Sequence, residues 1–247
     1  MEEKKIVRAE GERKPASAPI KVEGNPKALR IGAIACWVVA IVFEILCILI
    51  IAGKISMFSQ PLTGIIITLI VDMLFAIGGS LLWKKANHID PASEADKTKF
   101  WLRNNLGVII TALAFIPVII IILCSKNIDK KTKTVGTIVA VIAMAIAGVC
   151  SYDFNPVSQE ELQETYSNPD LDVYWVTTGE KYHTHSDCQH LKSSTQDEII
   201  VGSIGQAEEA GKTELCKTCY KRDQKEKAAK VDNALETPAE ETPVVEE

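Results

Sequence analysis

The sequence predicts a membrane all-α fold, a four-helix transmembrane bundle, followed by a small α+β domain stapled by zinc. Three observations predict it. Apolar residues make up 47% of the 247-residue chain, and most of them fall between Ile31 and Cys150 while both ends are polar. That apolar region breaks into four windows, each near the 20 or so residues that cross a hydrocarbon core of about 30 Å. Past the last window, one histidine and three cysteines stand in polar sequence at spacings that suit a metal.

The chain opens on a polar arm, 1–30, expected to be mostly disordered. The four windows then run 31–53, 63–83, 106–125 and 135–150, the last being the shortest. A soluble core helix would show one polar face at a 3.6-residue period, whereas these segments are apolar nearly all round. In lipid every backbone group must be satisfied within its own segment, so helices are expected. The first window is too long for a signal-peptide core of about 7–15 residues and is expected to stay as an anchor. Lysine and arginine counts set the orientation. The N-terminal arm carries eight and the loop between the second and third helices five, against one and four in the other two loops. Both termini are therefore expected in the cytoplasm of a multi-pass cell-membrane protein. Trp83 and Trp101 flank the middle loop as interfacial aromatics, and Pro117 is expected as a tolerated kink in the third helix.

Two acids interrupt these windows. Glu44 lies roughly 20 Å from the start of the first helix and Asp72 roughly 14 Å from the start of the second, so both fall near mid-depth. Steps of three and four align each with small residues: Ala33, Cys36, Ala40, Glu44 and Cys47 on one helix, Thr68, Asp72, Ala76 and Gly79 on the next. Gly107, Thr111 and Ala114 mark the third helix, and Gly136, Ala140, Ala143 and Ala147 the fourth. Small faces let helices approach closely, either within a compact bundle or between copies in a homo-oligomer. No lysine or arginine lies inside any window. The pair is either a proton or cation relay or a set of protonated carboxyls bonded to neighbouring helices.

A linker follows, 151–171, with two prolines and an acidic run at 160–164 that suggests a turn or two of helix. The module, 172–222, begins with a β-branched and aromatic run from Val173, turns at Gly179, and returns through Tyr182 to His183, reading as a hairpin. Glu198–Val201 reads as a strand. Ser203 starts a short helix with Gln206 closing a capping box, and Gly211 stops it. The cysteines divide accordingly. Cys36, Cys47, Cys124 and Cys150 lie in or beside apolar windows and behave as small hydrophobes. Cys216 and Cys219 bracket two residues, which brings both sulfurs to one ion. Cys188 and a histidine supply the other pair, and four nitrogen and thiolate ligands make a closed zinc site. His183 is the expected fourth ligand, with His185 and then His190 as alternatives.

The residues Thr177-Thr-Gly-Glu-Lys-Tyr-His183, Cys188, Gln206-Ala-Glu-Glu-Ala-Gly211 and Cys216-Lys-Thr-Cys219 resemble the metal-binding domain of the Ada DNA-repair protein. They are closer still to small modules on bacterial secreted or membrane proteins, with the pattern Tyr-His…Cys…Ala-Gly…Cys-x-x-Cys. With Ser151-Tyr-Asp-Phe-Asn, the C-terminal half is similar to bacterial membrane proteins that end in such a module. The Ada domain's first ligand is a cysteine that accepts a methyl group from DNA phosphate. His183 holds that place here, so methyl transfer is not implied. Six basic against seven acidic side chains between Val173 and Arg222 also speak against nucleic acid.

The tail, 223–247, is rich in charged residues and alanine and is expected to be disordered. The expected function is a membrane protein that displays a structural zinc module to a protein partner. The alternative is a proton- or cation-coupled transport component using Glu44 and Asp72. The sequence leans against an enzyme: no serine–histidine–acid set, phosphate loop or open metal site is visible, and His88 reads as a lone loop histidine.

Overall fold

The computed structural model describes residues 4–56 and 58–236. The chain divides into two compact units: one is Asn25–Leu162, and the other joins the chain before Asn25 to the chain after Leu162. In order, the elements are β1 (Lys5–Arg8), α1 (Pro26–Ile51), α2 (Pro61–Ile89), α3 (Lys97–Cys124), α4 (Lys130–Ser151) and α5 (Gln159–Tyr166). Then come β2 (Val173–Trp175), β3 (Lys181–Tyr182), α6 (Gln189–Lys192), β4 (Glu198–Gly202), α7 (Ile204–Glu209), β5 (Glu214–Leu215) and α8 (Lys217–Glu236).

Helices α1 to α4 form the first unit, and all four are long and apolar enough to cross a membrane. Each is longer than its apolar window, and α1, α3 and α4 begin at a side-chain cap in polar sequence. Asn25 Oδ1 accepts from Ala28 N–H with Pro26 at the first turn, Asp96 caps Lys99, and Asp129 caps Lys131 and Thr132. A side chain that accepts an orphan amide lets a helix begin in polar sequence. The fourth helix, built on the shortest window, reaches spanning length this way. At 22 residues it extends about 33 Å, enough for a bilayer core. The buried faces follow the stripes of small residues: Ala33, Ala40 and Cys47 on α1, Thr68, Asp72, Ala76 and Gly79 on α2, Gly107, Thr111 and Ala114 on α3, and Gly136, Ala140, Ala143 and Ala147 on α4. Ile65, Leu69, Phe115, Val118 and Ile122 fill the space between them. Large aliphatic residues such as Ile34, Val38, Leu74, Leu113 and Val149 face outward. A surface of that kind suits lipid rather than water. Pro117 lies inside α3 without ending it.

Polar side chains tie the helices together at one end of this unit. Asp90 accepts from Arg30 on α1 at 2.7 Å and from Arg103 on α3 at 2.9 Å. Trp83 Nε1 donates to the Arg103 carbonyl at 2.9 Å. His88 is not a lone loop residue: it lies in the last turn of α2, and its Nε2 sits 2.9 Å from Asp153 Oδ2. Burial pushes the Asp153 carboxyl up, but the hydrogen bond and charge of His88 outweigh it and hold the group below the usual carboxylate range.

The second unit revises the expectation for the N-terminal arm. Residues Lys5–Arg8 form β1, which pairs in parallel with β4 from Lys5↔Glu198 to Arg8↔Val201. On the other side β4 pairs antiparallel with β2, so β4 is the central strand of three. Farther along the arm, Ile20 and Val22 are buried, and Val22 bridges Leu215. The arm's β-branched residues at 6, 7 and 22 find strand or bridge partners far away in sequence and Ile20 is buried, so a segment that looks solvated in isolation becomes ordered. The hairpin is likewise altered. Its two arms meet at a single antiparallel bridge, Tyr174↔His183, and β3 takes β5 as its parallel partner.

The linker and tail also carry structure. Ser158 Oγ accepts from Glu161 N–H at the start of α5. The region expected to be disordered from 223 continues as α8 through Glu236. Alanine, lysine, glutamate and glutamine are strong helix formers, and Arg222 pairs with Glu226 one turn on at 3.0 Å. The remainder of that tail lies outside the described residues.

Candidate metal centre

Strands β3 and β5 run parallel with Tyr182 opposite Leu215. The residues that follow them, His183 and Cys216, therefore leave the pair side by side. Cys216 N–H donates to the Tyr182 carbonyl at 2.9 Å, and His183 exchanges two backbone hydrogen bonds with Tyr174 at 2.7 and 2.8 Å. Both ligands are thus fixed by ladders before any side chain is considered. Cys219 sits in the first turn of α8, where Tyr220 N–H reaches the Cys216 carbonyl at 2.9 Å. Cys188 comes from a turn closed by its N–H on the His185 carbonyl at 3.2 Å, and it starts α6.

The ligand atoms of His183, Cys188, Cys216 and Cys219 all lie within 4.8 Å of one another, and all four residues are buried. This cluster could hold a metal ion. The separations fit a tetrahedral one: metal–sulfur and metal–nitrogen bonds of about 2.3 and 2.0–2.1 Å give a nitrogen–sulfur edge of about 3.6 Å. His183 Nδ1 lies 3.6 Å from Cys219 Sγ. The thiols also influence one another's protonation. Hydrogen bonds from Cys219 and then His183 hold Cys216 far below the ordinary thiol range. Cys219, hydrogen-bonded to Cys216 and buried, is pushed far above it, and burial pushes Cys188 up. Thiolate is the form that ligates a metal, so a divalent cation bound here would displace the thiol protons.

The other histidines are placed elsewhere. His185 Nε2 lies 2.7 Å from Asp223 Oδ1, while Tyr166 and Thr184 both donate to Asp223 Oδ2 at 2.9 Å. His185, Asp223 and Glu226 also lie within metal-binding distance of one another. However, the Asp223 oxygens are occupied by those donors and Glu226 is engaged by Arg222, so this cluster is a hydrogen-bond network. Burial and the Asp223 charge push the Tyr166 phenol well above its ordinary range, which keeps it a donor. His190 is exposed and meets Thr218 at 3.1 Å.

Sequence reasoning missed what braces the knuckle. The N-terminal arm runs along the free side of β5: Leu215 N–H donates to the Lys21 carbonyl at 2.8 Å, and Glu23 N–H to the Leu215 carbonyl at 2.9 Å. The Glu23 carboxylate then accepts from Lys181 Nζ at 2.7 Å and from Lys217 N–H, at the start of α8, at 3.2 Å. Farther back, Gly205 N–H donates to the Lys14 carbonyl at 3.1 Å. A Cβ at Gly205 would stand 2.6 Å from the Pro15 carbonyl, so only glycine admits the arm there. The alternation Ile20-Lys-Val22 was the available signal, but two residues are too few to identify a strand.

In the helical unit, Asp72 is buried, at 1% exposure, and Glu44 is half-buried. Compared with protein-family models, with curated proteins and with solved structures, the chain matches none.

Proposed function

We propose that this chain is a membrane-anchored binding protein whose extramembrane unit is held together by a structural zinc ion and presented to a protein partner. The observation that carries the reading is the closed donor set. One imidazole and three sulfurs, all buried, fill a tetrahedral shell and leave no position for an activated water. Zinc is the ion such a set prefers, and His183, Cys188, Cys216 and Cys219 would hold it. Its contribution would be to folding, because the strands that deliver His183 and Cys216 are only two residues long each. The likeness to Ada-type modules supports the metal, and the histidine in the first ligand position argues against methyl transfer. The lysine and arginine distribution supports a cytoplasmic placement. The shared sheet of β1 and β4 supports placing the segments before α1 and after α4 on one side of the bilayer.

The test uses the full chain in detergent and in native membranes. Metal analysis should find one zinc per chain, and chelation should unfold the extramembrane unit while the four apolar helices keep their helicity. Proteins cross-linked to the wild type in membranes should be lost with Cys216→Ser. Partners retained by the metal-free variant would refute a display role for the module. A second reading, a proton- or cation-coupled membrane component, is favoured by one observation: the Asp72 carboxyl is buried with no hydrogen-bond partner.

A further inference from the structure

The middle of the helical unit holds a group that its own fold leaves unsatisfied. Asp72 projects from α2 into the bundle at 1% exposure, and neither carboxylate oxygen has a hydrogen-bond partner among the described residues. A buried polar group without a partner is destabilising, and more so if charged. Glu44 lies on α1, which packs along α2, and interacts electrostatically with Asp72; Cys47, three residues on from Glu44, interacts with both acids. The other elements packed on α2 bring no ionisable group to this depth. On α3 these groups are Lys97, Lys99 and Arg103 at the start and Cys124 at the end. On α4 they are Lys130, Lys131 and Lys133 at the start and Cys150 near the end. No basic side chain is available to neutralise the pair.

We propose that Glu44 and Asp72 form an intramembrane proton-binding site, two carboxyls from adjacent helices that take up and release a proton as a unit. This rests on the second functional reading and names its ion. A hard metal cation takes about six oxygen ligands. Helices α1 and α2 run unbroken past this level, so their backbone carbonyls are already occupied. Beyond the two carboxyls, the side-chain oxygen near this level on α2 is that of Thr68, whose hydroxyl donates back to Gly64 and Ile65. A proton needs no such shell: it neutralises one carboxylate and removes that group's repulsion of the other. Uptake leaves a neutral acid and release leaves a carboxylate, with the proton passing to solvent.

Infrared difference spectroscopy of the full-length protein in liposomes, titrated over pH in light and heavy water, tests this directly. The expected result is a protonated-carboxyl band that disappears reversibly as pH rises and is lost in Asp72→Asn. In Glu44→Gln the band should remain with a displaced midpoint. Because Glu44 is half-buried, that variant decides the matter even if Asp72→Asn misassembles. A band that does not change with pH would make Asp72 a permanently neutral structural donor and overturn the proposal. So would an unchanged midpoint in Glu44→Gln, or a midpoint that follows sodium concentration. Proton flux into the same vesicles is a separate readout. If it is unchanged by both substitutions, the transport reading fails while the titration still decides whether the proton site exists.

Discussion

Replacing His183 by alanine should release the metal, whereas replacing His185, two residues away, should not. The magnitude follows from the geometry. Structural zinc sites bind with roughly 10–16 kcal/mol, and four ligands share it, so one ligand contributes about 2.5–4 kcal/mol, or about two to three orders of magnitude in affinity. His183 Nδ1 stands at the tetrahedral separation from Cys219 Sγ, and its backbone, not its side chain, makes the bridge to Tyr174. Alanine therefore removes the ligand and keeps the ladder. His185 instead meets Asp223, which retains Tyr166 and Thr184 as donors. Its loss should cost about 1 kcal/mol of stability and leave affinity within a few-fold. The assay is competition with a chromogenic chelator on the full-length protein in detergent, with helicity as the folding control. His183→Cys supplies a rescue: four sulfurs should restore binding and change the absorption of the cobalt-substituted protein. Equal metal loss in His183→Ala and His185→Ala, or greater loss in the latter, would refute the ligand assignment.

Four further outcomes are expected. Ile20→Ala with Val22→Ala should destabilise the extramembrane unit by about 3 kcal/mol and raise its zinc off-rate, because both side chains are buried and the arm is bonded to β5; thermal unfolding and chelator kinetics check it. Gly79→Ala should destabilise the helical unit by about 1–3 kcal/mol in detergent melts, although alanine is ordinarily the better helix former. A Cβ there would stand 2.5 Å from Trp37 Nε1 and 2.9 Å from the Ala33 carbonyl. Asp153 is held below its ordinary value in the folded chain. Its contribution is present above the unfolded carboxyl value and is lost as pH falls through the folded one. The melting temperature of Asp153→Asn should therefore converge on that of the wild type in acid and fall below it at neutral pH. Tags at the two ends should be accessible from the same side of sealed vesicles, since β1 and β4 share a sheet; accessibility from opposite sides would contradict that sheet.

The sequence by itself determined whatever depends on local period and local chemistry. Four apolar windows, their small-residue faces, the Ser203–Gly211 helix and the four side chains of the candidate metal cluster were legible because each is written in residues a few positions apart, or in residue types with one evident use. Helix ends were less legible, since Asn25, Asp96 and Asp129 extend helices into polar sequence that composition alone assigns to loops. Only the tertiary structure decided the rest. It made the N-terminal arm part of the unit that carries the His183, Cys188, Cys216 and Cys219 cluster, gave β3 a partner other than its hairpin neighbour, and took His185 away from that cluster to Asp223. It also left Asp72 without a hydrogen-bond partner. The physical reason is the same in each case: sheet pairing and side-chain satisfaction are settled between residues up to about two hundred positions apart, as Lys5 and Glu198 show, and no periodicity within either segment encodes which partner the other will be.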